Sequence, residues 1–304
     1  MKTYGLPYKG SKDKIAEKIC SLFPIRENFY DLFMGGGSIT HYQLLQNQYK
    51  NYYANDFDSL VVKAFDMAIH GEFKNETRWI SHEEFNKLRF KDAYATLCFS
   101  FGNNKRSYAY CEEKEKIKKA LHYAILFDDY SLLKEYVKDN IDFKELSKIK
   151  DLTKKRLWLQ HKLTNLGYDG RLRNLENYES VKQLEHLQRL ESVKQLTLTS
   201  KSYDEIKIKP NSIIYCDIPY HSSEIYRCDE TYKFDYEKFY SWCERQTELC
   251  FISEYSMPKD RFTCIAEIEH RSIICANENQ SVIERVFLPN HQAKDYKIPS
   301  LFDM

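Results

Sequence analysis

The chain has 304 residues, enough to bury a large core and to form one or two domains. Its 46 Lys and Arg nearly balance 45 Asp and Glu, and its nine cysteines include no C-x-x-C pair, which argues against a disulfide framework and a zinc ribbon. It lacks both a membrane-length apolar run and the apolar region of a secretory signal, so we expect a cytoplasmic protein without a membrane partner.

The first predicted helix follows a short loop that carries an aromatic ring and two cations. Apolar residues at helical spacing predict a helix over 12–23, with Ser11 as its N-cap. The loop before it contains Tyr8, Lys9 and Lys12. It is either a simple helix entry or part of a binding site.

A strand, a glycine-rich loop and a second helix are predicted next, over 29–33, 34–38 and 39–46. In this order of elements, the glycines let the loop backbone come close to an adenosine-type cofactor. The loop does not match the dinucleotide fingerprint, because Thr40 stands where the third glycine is required. The following strand, 52–56, ends on Asp56, which can accept both ribose hydroxyls or cap the helix that begins near Ser59.

Residues 61–178 are rich in lysine and helical in period, which predicts an inserted helical domain. Its loop over 99–110 interleaves rings, amides and cations, which can contact bases and phosphates or can pack into the insert's own core. Between 144 and 173, nine Lys and Arg stand against three acids, which suggests a polyanion partner or a solvated helix face. The candidate DNA contacts are Asn103, Asn104, Lys105, Arg106, Tyr108, Lys154, Lys155 and Arg156.

The hexapeptide ESVKQL occurs twice, at 179–184 and at 191–196. Its apolar residues recur every third position, and a period of three drifts around an α-helix without forming one face. We therefore interpret 179–195 as a connector that leads into a strand at 196–199.

A short apolar run, 213–216, ends in the tetrapeptide Asp217-Ile218-Pro219-Tyr220. Such a run predicts the central strand of a covered parallel sheet, and ligands bind beyond the carboxyl ends of such strands. A carboxylate, a backbone carbonyl and a flat ring together can hold a planar base that carries an exocyclic amino group. The simpler alternative is a strand end followed by a proline turn.

After the tetrapeptide the sequence predicts a helix over 234–250 and a strand over 251–253. Three further segments of strand length, at 264–268, 272–275 and 282–288, fit a closing antiparallel pair.

On these residues the chain resembles the Dam-like family of S-adenosylmethionine-dependent adenine-N6 DNA methyltransferases. The resemblance rests on PYKGSK (7–12), DLFMGGG (31–37), ANDFD (54–58), CDIPY (216–220) and FISEYSMP (251–258), and covers roughly 1–60 and 196–290. It implies an α/β fold: a Rossmann-like methyltransferase sheet, mostly parallel with an antiparallel closing strand. The catalytic domain is then 1–60 with 196–304, and 61–178 is an inserted, mainly helical target-recognition domain.

The resemblance also implies roles for individual residues. The S-adenosylmethionine site would comprise Tyr8, Lys12, Asp31, Phe33, Gly35, Gly37, Asp56, Phe57 and, as a weaker match, Asp204. The catalytic tetrad would be Asp217, Ile218, Pro219 and Tyr220. Ile218 replaces the family's first proline, but the family uses the carbonyl of that residue, which isoleucine also provides.

The expected reaction is methylation of adenine N6 in a specific short sequence of duplex DNA. Hydrogen bonds from both N6 protons, to Asp217 and to the Ile218 carbonyl, would aim the nitrogen at the sulfonium methyl. Tyr220 would stack on the base after it flips out of the duplex. Direct transfer requires neither a metal nor a covalent intermediate.

The expected partner is double-stranded DNA, a cognate restriction nuclease is a second candidate, and we expect a monomer or a weak dimer. Two alternatives stay open. A cytosine-N4 or RNA amino-methyltransferase would share the tetrad, and a non-catalytic DNA-binding derivative of the fold would fail to bind S-adenosylmethionine.

Overall fold

The computed structural model describes residues 4–103, 105–137, 141–220, 234–271 and 281–299. The chain divides into two compact units. The first unit combines Met1–His70 with His186–Met304, and the second unit is Gly71–Glu185. The second unit is therefore inserted into the sequence of the first.

The described residues of the first unit form one seven-stranded sheet. The strands are β1 Asn28–Asp31, β2 Asn51–Asn55, β3 Leu196–Thr199, β4 Ser212–Asp217, β5 Leu249–Glu254, β6 Phe262–Arg271 and β7 Ser281–Pro289. Their order is β3-β2-β1-β4-β5-β7-β6. The first five in this order are parallel, and β7 is antiparallel to both β5 and β6. This arrangement confirms the predicted mostly parallel sheet with an antiparallel closure; segment 272–275 lies outside the described residues.

The α-helices, numbered along the chain, are α1 Ala16–Cys20, α2 Ser38–Gln46, α3 Ser59–Ile69, α4 His82–Leu88, α5 Ala93–Phe99, α6 Glu112–Phe127, α7 Ser131–Val137, α8 Phe143–Lys148, α9 Leu152–Asn165, α10 Arg173–Gln183, α11 Glu191–Lys194, α12 Tyr236–Glu244 and α13 Asn290–Ala293. Helix α3 belongs to the first unit, so the insert begins at Gly71, later than the sequence interpretation placed it.

Both faces of the parallel sheet are covered, because successive side chains of a strand point to opposite faces. Phe29 and Tyr215 pack on one face with Ile19 of α1. On the other face, Ile214 packs with Phe239 of α12. The apolar runs of β1 and β4 are therefore buried throughout, and the polar residues of the site lie at the carboxyl ends of the strands.

The order of the strands in the sheet changes direction at β1. This strand pairs with β2 on one side and with β4 on the other. A crevice opens beyond the carboxyl ends of two strands at such a switch point. Asp31 ends β1 and Asp217 ends β4, so their carboxylates lie where a ligand of this fold binds.

Helices of the second unit pack around a buried polar network. The Tyr110 hydroxyl donates to Asn174 Oδ1 at 2.6 Å, and the Asn174 amide lies 2.9 Å from His122 Nδ1. Burial lowers the pKa of His122 to about 4, so the ring is neutral at physiological pH. The network holds α6 to α10 without a buried charge.

The two ends of the second unit lie side by side. Lys74 Nζ is 3.4 Å from Glu185 Oε1, and a Cβ on Gly71 would come within 2.9 Å of Glu185 Cγ. The first and last residues of the second unit are therefore neighbours within that unit.

The two copies of ESVKQL adopt different structures. The copy at 179–184 ends α10 and enters a 3₁₀ turn, whereas the copy at 191–196 forms α11 and the first residue of β3. The predicted strand at 196–199 is confirmed as β3.

Candidate active site

The N-terminal loop lies directly on the glycine loop between β1 and α2. The Leu6 amide donates to the Gly36 carbonyl at 2.7 Å. The Gly5 amide donates to His41 Nδ1 at 2.8 Å, and a Cβ on Gly5 would come within 2.5 Å of the Gly36 oxygen. This close approach brings the ring of Tyr8 to the glycine loop, where a Cβ on Gly35 would lie 3.2 Å from Tyr8 Cε1.

Asp56 ties the glycine loop to the end of β2. Its Oδ2 accepts from the Gly35 amide at 2.8 Å, and its Oδ1 accepts from the Asp58 amide at 2.8 Å. Each carboxylate oxygen has a further lone pair, so the group can still accept a ligand hydroxyl. The N-cap of α3 is Asp58, whose Oδ1 accepts from the Leu60 amide, so the alternative capping role for Asp56 is wrong.

Asp31 is a buried carboxyl group with one unused oxygen. Its Oδ2 accepts from the Thr40 hydroxyl at 2.7 Å, whereas Oδ1 has no hydrogen-bond partner among the described residues. Burial raises the pKa of Asp31 to about 7, and the nearby charges of Asp217 and Asp56 act in the same direction. A cation beside Oδ1 would satisfy the oxygen and favour its ionised form.

Asp217 forms a largely buried ion pair at the end of β4. Lys12 Nζ lies 2.8 Å from its Oδ1, and the two side chains are 8% and 21% exposed. Burial raises the pKa of Asp217, and the ammonium of Lys12 opposes that rise. Lys12, which the resemblance linked to the cofactor, thus contacts the tetrad carboxylate directly.

The substituted tetrad position is accommodated by the core. Ile218 is 1% exposed and belongs to the apolar cluster that includes Phe239. The following carbonyl, that of Pro219, accepts from the Tyr236 hydroxyl at 2.8 Å. The extra apolar atoms of Ile218 therefore fill core volume on the α12 side.

Tyr220 is held on several sides. Its hydroxyl donates to Glu284 Oε1 at 2.5 Å, and its ring contacts that of Tyr255 edge-on at 4.5 Å between centroids. The ammonium of Lys12 lies 4.8 Å from the Tyr220 ring centroid. Its orientation is therefore set by neighbours from the loop after β5, from β7 and from the N-terminal loop.

Glu284 is a site residue that the sequence interpretation missed. It is 2% exposed in β7, while its neighbour Ile283 is 39% exposed. The sequence carried a signal, because the charged residue occupies the inward parity of the strand, in line with Val286 and Leu288 of the core. Burial raises the pKa of Glu284 and Lys12 opposes the rise.

The other cofactor candidates lie apart from the ion pair. The ring of Phe33 packs against Tyr203 and Phe239, and Gly37 is the N-cap residue of α2 with φ of 72°. Phe57 is 61% exposed. Asp204 pairs with Lys238 Nζ of α12 at 2.6 Å, which lowers the pKa of its carboxyl.

The loop candidates for DNA contact differ in exposure. Asn104 and the side chain of Asn103 lie outside the described residues. Arg106 is exposed, whereas Lys105 is 7% exposed. Tyr108 is buried, with its hydroxyl donating to the Ile80 carbonyl at 2.6 Å and its ring stacked on His82. The prediction that rings plug this loop into the insert's core therefore holds for Tyr108.

The three consecutive cations of α9 also differ. Lys154 is exposed. Lys155 is buried against Asp128, with 2.5 Å between Nζ and Oδ1. Arg156 forms a bidentate pair with Glu179 at 2.9 and 3.0 Å. Two of the three charges are therefore neutralised within the unit.

No α-helix in the described part of the chain is long and apolar enough to cross a bilayer. Over the same ranges, no three His, Cys, Asp or Glu side chains are grouped as metal ligands would be.

A family model described as D12 class N6 adenine-specific DNA methyltransferase matches residues 8–244. The matched span includes the glycine loop and the tetrapeptide at 217–220, while β7 and Glu284 lie beyond it. A search of curated proteins found no match.

Proposed function

The chain belongs to the D12 class of N6 adenine-specific DNA methyltransferases, and we propose that it methylates adenine N6 in a short specific duplex sequence after flipping the base out of the helix. The family acts on DNA and generally uses S-adenosylmethionine. The main support for methylation of a flipped adenine is the position of Asp217 and Tyr220, which lie beside the switch point between β1 and β4.

The residues at this crevice fit a cationic nucleoside cofactor. Asp31 offers a buried carboxylate oxygen without a hydrogen-bond partner in the described chain, which suits an ammonium group. Gly35 and Gly37 have positive φ, which residues with a Cβ do not readily adopt, so the loop keeps a tight backbone beside the crevice. Asp56 supplies acceptors for ribose hydroxyls at the next strand end. S-Adenosylmethionine supplies a methyl group on a positively charged sulfur.

The tetrad residues act on the base. Asp217 and the Ile218 carbonyl accept the two N6 protons, which directs the nitrogen lone pair out of the ring plane toward the cofactor side. Tyr220 provides the face on which the base stacks. Asp217 can also accept the proton that the amino group releases after transfer, because it already accepts a hydrogen bond from that group in the proposed complex.

We place the DNA contacts on two half-buried arginines and two exposed rings of the second unit. Arg89 donates to the Arg106 carbonyl at 3.0 Å and lies 5.1 Å from the ring of Phe90. Arg173 lies 4.9 Å from the ring of Phe101. Phe90 and Phe101 are half exposed, so each of these two arginine–phenylalanine pairs combines a cation for phosphates with a ring for unstacked bases. Lys154 is a further candidate for a phosphate contact.

The wider setting is proposed from family membership. We propose a cytoplasmic protein that works as a monomer or a weak dimer. A cognate restriction nuclease is the proposed partner enzyme.

The test is incubation with radiolabelled S-adenosylmethionine and unmethylated DNA of mixed sequence, followed by nucleoside analysis. We expect N6-methyladenine from the intact protein and none from Asp217→Ala, with cofactor binding retained in calorimetric titration. Labelled N4-methylcytosine in the DNA would make cytosine the substrate, and label incorporated only when RNA is supplied in place of DNA would make RNA the substrate. An intact protein that does not bind the cofactor would be a non-catalytic derivative, and full activity of Asp217→Ala would refute the role of the tetrad.

A further inference from the structure

Two carboxylates face a single ammonium group in the active site, that of buried Glu284 and that of Asp217, whose side chain is 21% exposed. Lys12 Nζ lies 2.8 Å from Asp217 Oδ1 and 3.8 Å from Glu284 Oε2. Asp217 ends β4, whereas Glu284 comes from β7, on the far side of β5. The side chains of Lys12 and Glu284 are 8% and 2% exposed. Lys12 therefore stands between two acids that different parts of the sheet contribute.

Lys12 occupies the positions that an adenine base would use. Its ammonium contacts the carboxylate of Asp217 and also lies over the Tyr220 ring. In the proposed function the base's amino group donates to that carboxylate, and the base stacks on that ring. A base that bonds to the same oxygen of Asp217 and stacks on the same face of Tyr220 would need the space of this ammonium, so we expect Lys12 to move aside when the base enters.

A buried ammonium that loses its carboxylate partner needs another, because an unpaired buried charge is strongly destabilising. Glu284 meets this need with little movement, since its Oε2 is already within 4 Å of Lys12 Nζ. The Tyr220 hydroxyl bonds to the other oxygen, Oε1. Glu284 can therefore hold Tyr220 and face Lys12 at the same time.

We propose that Glu284 is a positioning residue that receives the ammonium of Lys12 when the target base displaces it from Asp217. The inference rests on the proposed function, because it concerns the entry of a base into that site. Lys12 fills the pocket before the base arrives, and Glu284 keeps its charge paired afterwards. Glu284 itself touches neither the base nor the cofactor.

The test compares Glu284→Gln, which keeps the size and a hydrogen-bond acceptor but removes the charge, with Glu267→Gln as a matched control. Glu267 is 56% exposed on the adjacent β6 and pairs with Arg285. We expect kcat on unmethylated mixed-sequence DNA to fall at least ~10-fold in Glu284→Gln, with KM for DNA and the cofactor Kd changed less than about twofold. The control should retain the kcat of the original protein.

Tyr220→Phe separates this role from a simple anchoring of Tyr220, because it removes only the hydroxyl that bonds to Glu284. We expect a smaller loss of kcat in Tyr220→Phe than in Glu284→Gln. Equal losses, with no further loss in the double variant, would show that Glu284 acts through Tyr220 and would overturn the inference. Unchanged kcat in Glu284→Gln would overturn it as well.

If Glu284→Gln alone does not fold, the test compares the kcat of Lys12→Met with that of the double variant Lys12→Met/Glu284→Gln. The double variant removes both charges together, so neither is left buried and unpaired. The inference predicts that the single variant Lys12→Met and the double variant have equal kcat, because Glu284 acts only on the ammonium of Lys12. A further ~10-fold loss of kcat in the double variant would contradict it. The original protein is assayed in every series. Failure of that protein to form N6-methyladenine would reject the proposed function, whereas a failed comparison among active variants rejects only the role of Glu284.

Discussion

Asp31 is the residue whose ionisation responds most directly to a cation in the crevice. Burial holds its pKa near 7, so the carboxyl binds a proton over much of the pH range in which an ordinary aspartate is ionised. A cationic ligand beside Oδ1 favours the ionised form and lowers the pKa. Binding then releases a proton, and affinity falls as the pH drops below about 7.

We predict that the Kd for S-adenosylmethionine rises by up to ~10-fold for each pH unit below that pKa, and that Asp31→Asn binds weakly with little dependence on pH. Calorimetric titrations in two buffers of different ionisation enthalpy measure the proton release. Asp142→Asn, which alters the N-cap of α8 in the second unit, serves as the control. A Kd of the original protein that stays constant between about pH 5.5 and 8 would contradict the assignment.

Neighbouring cations on α9 should behave differently when removed. Arg156 and Glu179 are 8% and 13% exposed, so Arg156→Ala leaves a buried carboxylate without its bidentate partner. We predict a loss of about 3 kcal/mol in the free energy of unfolding. Lys154→Ala, at an exposed position, should change it by less than about 0.5 kcal/mol. Chemical denaturation of both variants measures the difference, and equal stabilities would show that the Arg156 pair contributes nothing.

At the scale of elements, the glycine loop depends on backbone that other residues do not readily adopt. Gly37 has φ of 72°, and a Cβ there would lie 2.5 Å from Cε2 of the buried Phe65 ring. The position thus combines left-handed backbone with a collision against α3. Gly167 has φ of 81° with nothing within 4 Å of an added Cβ, so it isolates the backbone effect.

We predict that Gly37→Ala lowers the free energy of unfolding by about 3 kcal/mol, whereas Gly167→Ala lowers it by about 1 kcal/mol. Thermal and denaturant unfolding measure both. If the free energy of unfolding falls by the same amount in both variants, the predicted collision with Phe65 does not contribute to the requirement for glycine at position 37.

The elements that the sequence predicted are those with a strong local pattern. The apolar runs of β1 and β4, the glycine loop and the acid after β2 are contiguous, so their positions could be inferred without tertiary contacts. ESVKQL marks the limit of this reasoning, because the same six residues end α10 in one place and begin β3 in another. Their surroundings in the folded chain, rather than local propensity, select the structure.

Pairings between distant residues could not be predicted in the same way. The sequence alone did not distinguish the charges of Lys155 and Arg156 from that of Lys154, because their partners, Asp128 just after α6 and Glu179 of α10, are distant in the chain. The alternation of β7 indicates that Glu284 points inward, but its partners Lys12 and Tyr220 could not be predicted, since they reach it from remote parts of the chain.

Across the whole molecule the net charge is only +1, but the cations fall into two groups. Some are buried in ion pairs, and others are exposed. Long-range attraction of DNA depends on the exposed ones, because each phosphate contact releases counterions. Arg106 and Lys154 are exposed, whereas Lys105 is buried. We therefore expect substitution of Lys105 to affect folding more than DNA affinity.

We predict that Arg106→Ala and Lys154→Ala each weaken DNA binding and reduce the slope of log K against log salt by about 1. Lys194→Ala is the control, since Lys194 is an exposed cation of α11 that pairs with Glu191. Fluorescence anisotropy at several salt concentrations gives the slopes. Slopes that match the control would remove these residues from the DNA surface.

The contact between Glu185 and the region of Gly71 and Lys74 bears on how the chain folds. β2 and β3 are adjacent parallel strands, yet the whole second unit separates them in sequence. Closing a flexible loop of roughly a hundred residues costs about 2 kcal/mol more in chain entropy than closing one of ten. A unit that has already folded with its ends together acts as a short loop, so it can complete its structure first and lower the barrier to joining β2 with β3. The same property would let evolution exchange the insert, and with it the proposed DNA contacts, without rebuilding the sheet.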